Sequence, residues 1–255
     1  MVALVLLSLI VLGVRAVAGG PEADRRSADP AVTGGPGPLT PAPSKPVEPG
    51  MTTPSPERAE PQPSPTTAKK RAAEVTVPAN GPGTYVRSRQ TADAASSRGI
   101  LRRFDVQVEL GLDIDADQAA RLISEVLNDQ RSWGGTGRWR FALAPAGQQA
   151  DLHAYVVTPG TTDRLCAPLL TRGEVSCQNG NRVVLNAERW VFGVPDYDGD
   201  LANYRRYLVN HEFGHSIGHR HVPCPESGRA APVMMQQTKG LDGCRKNPWP
   251  RADER

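Results

Sequence analysis

No aromatic residue precedes Tyr85 and no cysteine precedes Cys166 in this chain of 255 residues. From Gly19 to Glu74 there is Pro, Gly, Ser, Thr, Ala and charge, with nothing aromatic to build a core around. Such a composition cannot bury enough apolar surface to offset chain entropy, so a folded domain is excluded there and disorder is expected. The thirteen prolines of this stretch, as in Pro61-Gln62-Pro63-Ser64-Pro65, favour extended polyproline II and a semi-rigid spacer. What remains, from about Val75 to Arg255, is the size of one ordinary domain.

Two further absences bear on partners and compartment. The net charge is only +3, and no basic run is interleaved with aromatics, which excludes a nucleic-acid reading. No apolar run reaches the roughly 20 residues that a membrane span needs. Val2 to Val14 is apolar apart from Ser8 and Gly13, a length suited to a signal-peptide core. Ala16-Val17-Ala18, followed by Gly19, resembles a small-x-small cleavage site. The positively charged region that usually precedes such a core is missing, so either the native start lies upstream or the export signal is unusual. A retained membrane tether is the alternative to cleavage. Both readings place the folded part outside the cytoplasm, secreted or in the cell envelope. The cysteine count agrees: Cys166, Cys177, Cys224 and Cys244 are an even number in an exported chain and favour two disulfides. Three connectivities exist; the local pairs Cys166–Cys177 and Cys224–Cys244 each close a short irregular loop and are preferred.

Among the elements that are there, Phe104 to Leu110 alternates apolar and polar residues, as a half-buried strand does. Asp115 or Asp117 can cap a following helix, in which Ala119, Leu122, Ile123, Val126 and Leu127 recur at helical spacing to about Gln130. Trp133 to Gly137 reads as a loop, and Trp139–Leu143 and Leu152–Val157 as strands. Glu174–Cys177 and Arg182–Leu185 read as a hairpin around an Asn-Gly turn. A long helix should start near Asp200, with Leu201, Tyr204, Leu208, His211 and His215 on one face. The order is that of an α/β (α+β) domain.

That helix runs into His211-Glu212-Phe213-Gly214-His215-Ser216-Ile217-Gly218-His219-Arg220-His221. Histidines at i and i+4 diverge by only about 40° around a helix axis, so both can reach one metal ion. Glu212, rotated by about 100° from His211, stays off the metal and can act as general base towards water. Gly218 permits the sharp stop that brings His221 round as a third nitrogen ligand. Three neutral imidazoles with a fourth position open to water describe a catalytic zinc site, where the pKa of water falls to about 7. Five fixed residues of this kind arise by chance in roughly one chain of this length in ten thousand. Cys224, three residues past His221, is the alternative fourth ligand. His219 reads as solvent-exposed and His153 as structural. Asp196, Asp198 and Asp200 lack the spacing of a twelve-residue calcium loop, so turn and helix capping explain them more simply than Ca2+.

The extended motif resembles the metzincin clan of zinc peptidases, in which it is followed by a methionine-containing turn. Pro232-Val233-Met234-Met235 is similar to that turn, with Met234 favoured over Met235 as the residue beneath the ligands. More closely, the chain resembles a family of exported, metzincin-like proteins from actinobacteria with no established substrate. This resemblance spans about Phe104 to Pro250. It rests on Ser132-Trp133-Gly134, Asn186-Ala187-Glu188-Arg189-Trp190, Asn210-His211-Glu212-Phe213-Gly214-His215, Gln236-Gln237-Thr238 and Asn247-Pro248-Trp249-Pro250. It implies a metzincin-like fold: a twisted mixed sheet, a backing helix, an active-site helix and an irregular C-terminal subdomain. It also implies one catalytic Zn2+ and a peptide or protein substrate laid along an edge strand. Two features depart from the clan. The tyrosine found shortly after the turn methionine in several groups is replaced by Met235, Gln236 and Gln237, and no upstream cysteine exists for thiolate latency. A catalytically idle zinc-binding envelope protein and a zinc amidase acting on wall peptides are the alternative functions.

Overall fold

The computed structural model describes residues 75–145 and 147–255. The signal or tether segment and the Pro-rich stretch therefore lie outside the described residues. Among the described residues, no helix is long and apolar enough to cross a membrane.

The spine of the fold is a long strand, β2 (Ile100–Glu109), which begins four residues before the alternating pattern does. Its first half pairs in parallel with β3 (Trp139–Leu143), and its last residues pair antiparallel with β1 (Tyr85–Arg87). The opposite edge of β2 carries β4 (Leu152–Val157), then β6 (Arg182–Asn186), both parallel, and finally the antiparallel β5 (Cys177–Asn179). The result is a six-stranded mixed sheet ending on β5. The helix α1 (Ala116–Asn128) makes the parallel crossover from β2 to β3. Asp115 caps it by accepting the Gln118 N–H, while Asp117 accepts from Ser88 Oγ and Arg89 N–H instead.

Strand periodicity splits the sheet into two faces. Phe104, Val106, Val108, Ala154, Val156, Val183 and Leu185 look towards α1 and α4 (Leu201–Ser216) and form the main core. The other face carries Tyr155, Val157 and Val184, packed against α2 (Pro159–Cys166) and the Cys166–Cys177 disulfide. This second face is polar along β2, where Asp105, Gln107 and Glu109 are all buried. Asp105 accepts from Gln107 and pairs with His153 at 2.9 Å, a structural role for that histidine.

Three elements carry too little pattern to be read from sequence. β1 is three residues long, α2 opens on Pro-Gly-Thr-Thr, and α3 (Ala187–Phe192) follows β6 without a gap. The hairpin also differs from expectation. β5 starts at Cys177, and Gly180 and Asn181 form the two-residue turn, with only Gly180 at positive φ (63°). A glycine leading with positive φ is the type II′ pattern; pairing Asn179 with Arg182 puts Gly180 first in the turn, where the expected Asn-Gly turn would have put it second. Both local disulfides are present, Cys166–Cys177 and Cys224–Cys244, and such bridges belong to an oxidising compartment.

Glu109 ties the polar face together. Its carboxylate, 1% exposed, accepts from Gly83 N–H, Thr158 N–H, Thr158 Oγ1 and Thr161 Oγ1. Burial alone would raise its pKa, but these donors outweigh burial and hold it below the usual 4.5. A depressed carboxylate pKa contributes stability that is complete above the unfolded value and is lost as pH falls through the folded one. Glu109→Gln should therefore cost about 2 kcal/mol at pH 7 and flatten the loss of stability below pH 4.5, measured by urea unfolding across pH. Parallel acid limbs in wild type and variant would contradict this.

Candidate metal centre

Helix α4 is not the one-sided amphipathic helix that its stripe suggested. Every residue from Tyr207 to Gly214 is buried, because the sheet covers one side and the C-terminal segment covers the other. Phe213 packs edge-on against Phe104 and Phe141 at 5.5 and 5.9 Å, which anchors the helix to the sheet. Asp200 caps its start, and both its carboxylate oxygens are engaged by Asn203. Asp198 pairs with Lys246, so two of the three aspartates expected to cap rather than bind calcium are already satisfied by protein groups.

The helix stops in a Schellman arrangement. His219 N–H bonds to Gly214 C=O and Gly218 N–H to His215 C=O, both at 3.0 Å, with Gly218 at φ 100°. This stop turns the chain so that the His219 carbonyl meets His215 Nδ1 at 2.8 Å and His221 swings back over the helix. The Nε2 atoms of His211, His215 and His221 then lie 3.0–3.3 Å from one another. Among the described residues these three form the one group of His, Cys, Asp and Glu able to share a metal ion.

The chemistry of the trio fits a cation. His211 Nδ1 faces the Val233 carbonyl at 2.8 Å, as His215 Nδ1 faces that of His219. A carbonyl can only accept, so both Nδ1 atoms carry hydrogen and both Nε2 atoms present lone pairs. Two lone pairs 3.3 Å apart repel unless something positive sits between them. Protonation is disfavoured: burial pushes His211 down to about 3 and His221 to about 4, and lowers His215 as well. Nitrogens bound at about 2.0–2.1 Å to a tetrahedral zinc are roughly 3.3 Å apart, so the spacing and the all-imidazole donor set suit that ion. Cys224 contributes nothing here, being bonded to Cys244, which corrects its reading as a fourth ligand. Glu212 is buried beside the trio, and burial lifts its carboxyl to about 8; a cation between the rings would draw it down again.

Beneath the helix, Met234 (2% exposed) packs against Gly214, whereas Met235 belongs to a separate cluster around the Cys224–Cys244 bridge. A Cβ on Gly214 would lie 2.5 Å from Met234 Sδ and 3.1 Å from the Trp133 ring, so any side chain there would force Met234 to shift. Trp133 also stacks on His219 at 4.3 Å, which leaves that histidine half-buried rather than free in solvent. Asn210, fully buried and adjacent to His211, gathers two distant segments. It accepts from Ser132 Oγ and, through its carbonyl, from Trp133 Nε1, and it donates to the Pro248 carbonyl.

A cleft of about 310 Å3 opens over His211, Glu212, His215 and His221. The free sheet edge at Cys177 and Gln178 forms one wall, together with Leu169, Leu170 and Val175 of the loop between α2 and β5. Gln236, Thr238 and Lys239 form the opposite side. The wall loop is secured at its ends by the Cys166–Cys177 bridge. Along its length, Asn186 Nδ2 and Arg189 Nε donate to the Gly173 and Glu174 carbonyls.

A family model described as a protein of unknown function, DUF3152, matches residues 72–250. The chain belongs to the DUF3152 family. No curated protein and no solved structure matches it. The span of the DUF3152 match takes in the histidine trio, Glu212, Asn210, the segments at Trp133 and Pro248 that Asn210 holds, and Asn186, which secures the wall loop.

The Gly214 contact is testable without any activity. Gly214→Ala should destabilise the chain by about 1–3 kcal/mol through overpacking against Met234 and Trp133, read from urea unfolding. A variant as stable as wild type would show that the helix and methionine loop are not in the close contact described.

Proposed function

We propose that this DUF3152 protein is an exported, zinc-dependent endopeptidase of metzincin type that hydrolyses peptide bonds. The observation that carries the reading is the convergence of three Nε2 atoms within 3.3 Å, beside a buried carboxylate and under a free sheet edge. A zinc ion held by His211, His215 and His221 would supply Lewis acidity, polarising a substrate carbonyl and making water acidic near neutrality.

The chain's own residues supply the rest. Glu212, kept dry and next to the trio, takes a proton from the attacking water and returns it to the departing amine. The antiparallel β5 exposes main-chain N–H and C=O groups on the side away from β6, and an extended peptide can pair with them as an added strand. Leu169, Leu170 and Val175 give that peptide an apolar wall, and Gln236 offers an amide donor across the cleft towards charge developing on the carbonyl oxygen. The two disulfides support a working place outside the cytoplasm.

Retention of Glu212 supports an enzyme over an idle binding protein, since a site that only grips metal needs no base. The decisive assay exposes the chain to a fluorogenic peptide library with and without chelator, beside Glu212→Ala. Wild type should cleave, chelation should abolish cleavage, and Glu212→Ala should lose at least about 100-fold in rate while still binding one zinc. Equal background from wild type and variant, with zinc bound to both, would transfer the proposal to an envelope binding protein.

A further inference from the structure

The segment after Pro250 folds back onto the loop beside His211, held by Glu254 on the Val233 and Met234 N–H groups and by Arg251 on the Ala230 carbonyl. The Glu254 side chain is 9% exposed. Its Oε1 accepts the Met234 N–H and its Oε2 the Val233 N–H, each at 3.0 Å, and Oε2 also accepts the Arg251 N–H at 2.9 Å. The Met234 N–H belongs to the same peptide unit as the Val233 carbonyl, the group that receives His211 Nδ1–H at 2.8 Å. Imidazole, peptide and carboxylate are thus connected in one line: His211 donates to the carbonyl end of the amide, and Glu254 holds the N–H end.

We propose that Glu254 is a positioning residue for the metal centre, acting on His211 through the Val233–Met234 peptide. A carboxylate on the N–H end draws electron density towards the carbonyl oxygen and strengthens the bond that the oxygen accepts. That bond sets which nitrogen of His211 carries hydrogen, how the ring is turned, and how basic Nε2 is. The arrangement is a carboxylate–histidine pair with one peptide inserted. The same two hydrogen bonds fix the loop that places Met234 under Gly214, so the orientation of His211 and the support beneath it share one anchor. Glu254 lies past residue 250, where the family match ends.

The inference rests on the histidine trio being a metal site, and the test separates the two. Full-length wild type, His211→Ala, Glu254→Gln and Glu254→Ala are compared for zinc affinity by chelator competition and for the visible absorption of bound Co2+. The melting temperature of each metal-free chain is measured alongside. Glu254→Gln and Glu254→Ala are expected to bind zinc about ten-fold more weakly and to alter the Co2+ band. A purely structural staple would lower the metal-free melting temperature and leave affinity and spectrum as in wild type, and that result overturns the inference. Should Glu254→Ala fail to fold, Glu254→Gln decides by the same criteria. Wild type that binds no metal, or His211→Ala that binds it equally well, overturns the metal reading and this inference with it.

Discussion

Three imidazole nitrogens held 3.0–3.3 Å apart are the constraint around which the rest of the domain is organised. The His211 and His215 lone pairs repel at that distance, and either ring could relieve the repulsion by a rotation of its own side chain. Both are prevented from doing so because their outer nitrogens are tied to main-chain carbonyls, those of Val233 and His219. Main-chain atoms are rigid partners only when their own segments are secured. The Schellman stop secures His219, and the carboxylate of Glu254 secures Val233 and Met234. The sheet, the helix and the irregular segment after His221 can each be understood by what they contribute to that geometry.

Burial has a cost that this site turns to use. Placing Glu212 and His211 in a nearly dry environment disfavours their charged forms, which holds the imidazole neutral with its Nε2 lone pair free and raises the carboxyl until a cation arrives to lower it. The stability needed to sustain such a site comes from elsewhere. Phe213 packs against Phe104 and Phe141, Glu109 is saturated with donors on the far face of the sheet, and two disulfides close loops, that of Cys166–Cys177 forming a wall of the cleft. The access side is different in kind: His221 is exposed, Leu170 is 85% exposed, and among the described residues no strand pairs with the outer edge of β5. A dry floor with an open apolar rim is the arrangement that the proposed peptide hydrolysis calls for.

Much of this was legible in the residues because the relevant signals are local. Helix α1, strands β3 and β4, the start of α4 at Asp200, the stop at Gly218 and the nearest-neighbour disulfides all follow from spacing within a few turns of chain. The histidines and Glu212 are local too. What escaped was either too short to show a period or not encoded in residue type at all. Helix α2 begins with Pro-Gly-Thr-Thr and is held by tertiary contacts, including hydrogen bonds to Glu109. The partners of His211 and His215 are carbonyl groups, which every residue possesses. Asn210 and Glu254 act across long stretches of sequence, so only the fold reveals what they hold. Gly214 did carry a signal, since a glycine inside a helix, here in its last turn, costs up to about 1 kcal/mol and calls for a packing reason.

How the histidine trio holds zinc is the property that tests the proposal most directly. X-ray absorption at the zinc edge of the zinc-loaded full chain should show one ion per chain, three imidazole nitrogens at about 2.0–2.1 Å and a remaining light-atom ligand from solvent. Sulfur in the first shell, a fourth ligand from the protein, or no stoichiometric zinc would contradict it.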